Sequence, residues 1–196
     1  MKKYKISLLA ALATTLGFIG CVSEDDVVLP EIGRIVYFED FQDTATHENW
    51  TNVTEIGSKS WGPQEHNGNV YYEFSPFQSG NELNIGWFVS PAINTEEASL
   101  KRLTFEVAHH HVINTENNYI QAYISTDFDG ENVLAATWTE FGFNKPTPAI
   151  QNYEFIKSGI IDLSDYSGTI YVAFKVTGGT DSQNAGAYMI DNVRVF

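Results

Sequence analysis

The sequence predicts an all-β protein, an antiparallel two-sheet jelly-roll β-sandwich. Three observations lead there. From residue 34 onward apolar and polar residues alternate in short runs, the period of strands with one buried face. Turn residues separate those runs, and no stretch carries the apolar stripe of a helix. The whole chain is 43% hydrophobic and 14% aromatic, enough for the part after the leader to bury one full core, and residues 34–196 are read as one domain.

The predicted strands lie at residues 35–41, 70–74, 83–89, 103–109, 119–125, 153–161, 170–176 and 188–195. Asn67-Gly68-Asn69, Ser79-Gly80-Asn81, Asp129-Gly130 and Gly178-Gly179 supply residues that tolerate positive φ between them. Ser90-Pro91 and Lys145-Pro146 interrupt pairing, because proline has no amide donor. The one predicted helical turn is 162–168, opened by Asp or Ser and closed by Gly168.

Ahead of this domain, Lys2, Lys3 and Lys5 precede an apolar run at 6–19 and then Gly20-Cys21. That order is the pattern of a secretory signal at residues 1–20 ending in a lipobox, with Cys21 acylated. The run breaks off into Ser23-Glu24-Asp25-Asp26, short of the ~20 apolar residues needed to cross a bilayer. The predicted membrane contact is therefore the lipid anchor alone. Residues 21–33 read as an acidic tether. Cys21 is the only cysteine, which leaves the exported domain without a disulfide or a thiol nucleophile.

The formal net charge is −14, and residues 1–20 hold three lysines and no acid, so the remainder is more acidic still. Such a surface repels phosphate backbones, which excludes nucleic acid as a partner. Acidity of this size serves solubility or affinity for divalent cations.

An ordered set of short motifs resembles choice-of-anchor J domains. They are Glu39-Asp40-Phe41, Trp50, Trp87-Phe88-Val89-Ser90-Pro91, Ser125-Thr126-Asp127-Phe128-Asp129-Gly130, Asp162-Leu163-Ser164 and Ile190-Asp191-Asn192-Val193. Those domains are similar to cleaved-adhesin and MAM modules. The resemblance spans residues 35–196 and implies a jelly-roll fold and a surface location more than an activity. The acids after Cys21 likewise resemble the export signal of surface-exposed outer-membrane lipoproteins.

Asp191 is in phase with Val193 and Val195, so strict alternation points its carboxylate into the sandwich, where a lone charge must be paired or coordinated. The resemblance implies a structural calcium ion held by Asp191 with Asp40, Gln42 and Asp43. Gln42 stands where relatives often carry Glu, which lowers the ligand charge. The other reading of Asp191 is a carboxylate accepting backbone donors from a neighbouring loop.

Asp127-Phe128-Asp129-Gly130 has the wrong glycine spacing for an EF-hand and reads as a hairpin connection. In His109-His110-His111, strand alternation lets His109 and His111 share a face while His110 opposes them. Two rings do not make a zinc site, so the run reads as a solvated or hydrogen-bonded strand end.

Aromatic faces stack on pyranose rings. Trp50, Trp87 and Trp138 are assigned to packing. Trp61 precedes Gly62-Pro63 in a polar stretch, and Phe77 sits in a similar loop; these two are the predicted glycan platforms, with loop anchoring the other role open to Trp61. No catalytic residues are predicted, because no compact acidic motif, nucleophile elbow or zinc helix is present. The leading expectation is a non-catalytic module that binds polysaccharide or oligosaccharide. The rival is an adhesion or assembly module that packs on another cell-surface protein. Exposed aromatics around a concave face favour the first, and a flat apolar patch the second.

Overall fold

The computed structural model describes residues 33–196. The predicted signal at 1–20, the lipidation site Cys21 and all but the last residue of the tether at 21–33 lie outside the described residues.

In chain order the strands are β1 (Tyr37–Glu39), β2 (Thr51–Ile56), β3 (Gly62–His66), β4 (Asn69–Phe74), β5 (Asn84–Val89), β6 (Ile93–Asn94) and β7 (Arg102–His110). Then come β8 (Tyr119–Ser125), β9 (Thr139–Phe141), β10 (Ile156–Lys157), β11 (Ile161–Asp162), β12 (Thr169–Gly178) and β13 (Ala187–Val195). One sheet runs β10-β7-β13-β4-β3, with β1 added to β13 and β11 to β7. The other runs β2-β5-β12-β8-β9, with β6 added to β12. The pairings are antiparallel, so the predicted fold class, an all-β sandwich of two sheets, is what the chain adopts.

Alternation explains the core. Tyr72, Phe74, Leu103, Phe105, Val107, Tyr188 and Ile190 face Phe88, Ile120, Ile124, Val172, Phe174 and Val176 across the interior. Phe88 stacks on both Trp50 and Tyr72, with ring centroids 4.5 and 4.3 Å away, and Phe105 meets Phe174 edge-on at 4.8 Å. A second cluster lies on the outer side of β5 and β12, where Trp87, Val89 and Ala173 pack with Phe128 and Val133. Trp138 donates from Nε1 to the Val133 carbonyl at 2.8 Å and packs on that cluster.

Several local expectations change. The run at 153–161 is two short strands, β10 and β11, because the regular ladder is interrupted at Ser158 and Gly159, although the Ser158 amide still donates to the Phe105 carbonyl at 2.9 Å. Ser158 accepts the Phe105 amide on Oγ at 3.0 Å, and Gly159 takes φ +84°. The predicted helical turn at 162–168 is a reverse turn instead, closed by the Tyr166 amide on the Leu163 carbonyl at 2.9 Å. Gly178 ends β12 rather than making a turn with positive φ. It is glycine because an added Cβ would come within 2.7 Å of Pro76 and 2.8 Å of the Asn118 amide.

Candidate functional site

The site grows from the β3–β4 hairpin. Asn67 and Gly68, at φ +53° and +83°, form its two-residue turn, which fixes His66 opposite Asn69, Gln64 opposite Tyr71 and Gly62 opposite Glu73. Tyr72 and Phe74 then enter the core, and Tyr71 and Glu73 are left on the outer face of the sheet. Beside them Tyr71, Ala108, Ala187 and Met189 make a small apolar floor, and Tyr153 and Phe155 pack over it.

The segment carrying Tyr153 is pinned to the end of β7. Its amide donates to the His109 carbonyl at 3.0 Å, the His111 amide donates to Asn152 Oδ1 at 3.0 Å, and His109 Nε2 lies 3.1 Å from the Ile150 carbonyl. Tyr153 stacks on His66, with centroids 4.3 Å apart and planes 9° from parallel, and meets His110 at 4.4 Å. Between this wall and the 75–77 loop opens a groove of about 590 Å³, lined among others by Gln64, Tyr71, Glu73, Phe77, His110 and Tyr153.

Burial sets the electrostatics. It raises the Glu73 carboxyl above its ordinary range, and no hydrogen bond or ion pair ties that side chain to another described residue. Burial, with the nearby Glu73 and Tyr153, pushes the Tyr71 phenol up to about 12. Burial, then the neighbouring histidines, lowers the His110 imidazole, which disfavours its cationic form.

The predicted site residues fall in different places. Trp61 is a correction: it is 3% exposed, stacks on Phe88 at 5.7 Å and donates from Nε1 to the Gly86 carbonyl at 3.1 Å, so it presents no face to a ligand. The polar residues around it are those of an edge strand, whose exposure imitates a loop in sequence. Phe77 is 55% exposed and lines the groove. The histidine run is a second correction. Only His109 points to the interior, because β7 ends at His110 and His111 turns away at φ +54°, so His110 and His111 line the groove together.

Asp191 is a third. The register of β13 against β7 shifts between Asp191 and Arg194, with Asn192 at φ +51°. That bulge reverses the phase, leaving Asp191 on the outer side with Met189 while Val193 still enters the core. Asp191 is nonetheless buried, and it accepts from Asn69 Nδ2 at 2.8 Å and from the Asn192 amide at 2.7 Å. Gln42 Nε2 reaches Asn69 Oδ1 at 3.3 Å, so Asn69 links Gln42 to Asp191. Desolvation, with the nearby Glu106 and Asp40, raises the Asp191 carboxyl to about 6. Asp43 is turned elsewhere and caps the 3-10 turn Thr44–Asn49 through the Ala45 amide.

Among the described residues no three His, Asp or Glu side chains gather as a metal cage. The oxygen donors of Asp40, Gln42, Asn69 and Asp191 are nevertheless of the kind calcium takes. The Asp129 turn is self-satisfied: Asp129 accepts from the Glu131 and Asn132 amides and from Asn132 Nδ2.

Tyr71, Glu73, His66 and Tyr153 were not predicted as site residues. A signal for two of them existed, since Tyr71 and Glu73 stand out of phase with the core residues Tyr72 and Phe74 in β4. His66 and Tyr153 carry none, because only tertiary contact brings their rings together.

No protein-family model matches the chain, and no curated protein matches it in sequence. Solved structures do match. The K3 cleaved adhesin domain of Lys-gingipain from Porphyromonas gingivalis W83 is 20% identical, with 83% of this chain and 98% of that one covered and a TM-score of 0.52. The K1 domain of the same protein gives 18% identity, 85% and 98% coverage and 0.51. The K2 domain gives 15% identity, 82% and 98% coverage and 0.53. What is shared is the fold. At these identities the likeness extends to the jelly-roll β-sandwich and no further.

Proposed function

We propose that this chain is a non-catalytic, surface-displayed binding module that holds a glycan in the groove between β4, the end of β7 and the Phe77 loop. One observation carries the reading. A concave site on the outer face of the sheet combines an exposed ring, Phe77, with the hydrogen-bonding groups of Gln64, Glu73, Ser75 and Tyr153. A pyranose needs that combination, an apolar platform for its C–H face and polar groups for its hydroxyls. A concave site suits sugar better than the flat apolar patch a protein partner would use.

Glu73 supports the absence of catalysis. Glu73 is the one half-buried carboxylate of the groove; Glu65 also lines it but is exposed, and by strand alternation it stems from the opposite face of β3, so the two are not the facing pair of a glycosidase. Display on the outer membrane through a lipidated Cys21, and membership of the choice-of-anchor J domains, are part of the same proposal and rest on the sequence motifs.

The test is affinity electrophoresis and calorimetry of the purified chain against a panel of soluble polysaccharides. Wild type binds at least one of them, and Phe77→Ala weakens that binding tenfold or more with unchanged circular dichroism. Failure of every polysaccharide to bind, or an undiminished Phe77→Ala, ends the reading.

A structural calcium ion held by Asp40, Gln42, Asn69 and Asp191 is also proposed. The crowding of buried Asp191 with Asp40 and Glu106 supports it, since a divalent cation relieves that charge. Excess calcium then raises the melting midpoint above its value in chelator, and Asp191→Asn abolishes the difference. Equal midpoints for wild type would remove the ion.

A further inference from the structure

We infer that the groove selects uncharged pyranosides and turns away anionic glycans through Glu73. This rests on the glycan reading above and names the substrate class.

The charges facing the groove decide it. Among the described residues no lysine or arginine lines it. The two ion pairs among the described residues, Arg34 with Glu97 and Lys175 with Glu55, involve none of its lining residues. The other basic side chains on its lining are His66, His110 and His111, and burial disfavours the cationic form of His110. Against them stand Glu73, half-buried and unpaired among the described residues, and Glu65 at the rim.

An unpaired carboxylate of this kind has about four lone-pair sites to offer and no donor of its own when ionised. It accepts from vicinal sugar hydroxyls in charge-assisted hydrogen bonds, which are stronger than neutral ones. A uronate or sulfate brought to the same place would set two negative charges at hydrogen-bond distance with no cation between them, and the partly desolvated site strengthens that repulsion. Glu73 thus attracts hydroxyls and repels acids, and Phe77 supplies the ring platform beside it.

The experiment titrates the purified chain with two sets of probes near pH 7.5, neutral polymers (β-glucan, xylan, galactomannan) and anionic ones (polygalacturonate, alginate, a sulfated galactan). Wild type binds at least one neutral polymer at least tenfold more tightly than any anionic one. The preference persists in about 0.5 M salt, where the field of the net negative charge is screened to a few ångströms and only the local contact discriminates. Glu73→Gln weakens neutral binding several-fold and narrows the gap.

An anionic polymer bound as tightly as the neutral ones overturns this inference and leaves the glycan module standing. A preference that vanishes at high salt, or that Glu73→Gln leaves untouched, overturns it too, because the discrimination is then not made by Glu73. If neither set binds, the glycan reading fails and this inference with it. Wild-type selectivity and its salt dependence need no variant, so they decide the matter even if Glu73→Gln folds poorly.

Discussion

The rings of His66 and Tyr153 stack 4.3 Å apart and 9° from parallel, joining the edge strand β3 to a segment that crosses from the end of β7. This contact makes one wall of the groove, and it is built from two partly exposed residues rather than from core.

Tyr153→Ala should therefore remove the wall while sparing the sandwich. Binding to the polysaccharide that wild type prefers is expected to fall at least tenfold. Thermal unfolding should shift by no more than a few degrees, since aromatic pairs of this kind contribute about 0.5–1.5 kcal/mol beyond their buried area. Calorimetry and a melting scan on the same sample separate the two effects. A large loss of stability with intact affinity per folded molecule would reverse the assignment.

Trp61→Ala is expected to act in the opposite manner. The indole is buried against Phe74 and Phe88 and hydrogen-bonded to the Gly86 carbonyl, so its removal leaves a cavity costing about 3–5 kcal/mol. Denaturant unfolding should show that loss. Affinity measured on the remaining folded protein should be unchanged.

Gly86→Ala tests the same packing from the other side. A Cβ at Gly86 would press into the ring of Phe74, which is fully buried and cannot swing aside. Overpacking of this kind costs about 1–3 kcal/mol, to be read as a lower denaturation midpoint at constant slope.

Asp129 gives a pH signature. Hydrogen bonds from the Asn132 side chain, then from the Asn132 and Glu131 amides, lower its carboxyl to about 2. A depressed folded value means that the turn's contribution to stability is present above the ordinary aspartate range and is lost as pH falls through about 2. Carbon-13 titration of the carboxyl should place its midpoint near 2, and Asn132→Ala should move it up toward 3.8. A midpoint at the ordinary value in wild type would contradict the turn geometry.

Strand period and turn chemistry are local properties, which is why 119–125 was legible in sequence with the bounds of Tyr119–Ser125 and why the Asn67-Gly68 turn was visible before the structure. Edge strands escape that reading. β3 is exposed and polar with Pro63 in it, so nothing in its pattern separates it from a loop. Bulges escape it as well, and a single positive φ at Asn192 was enough to place Asp191 on the side opposite to the one alternation predicts.

The sequence by itself determined an all-β chain of alternating strands, because burial of one face of a strand is written residue by residue in its own period. It also determined an acidic surface with no thiol chemistry in the domain, since composition alone settles that. Tertiary structure decided which aromatic is core and which is displayed, and it gathered Tyr71, Glu73, His66, His110 and Tyr153 around one groove. Those residues come from three strands and a connecting segment whose contacts are set by sheet order and register, and neither leaves a mark in any short stretch of the chain.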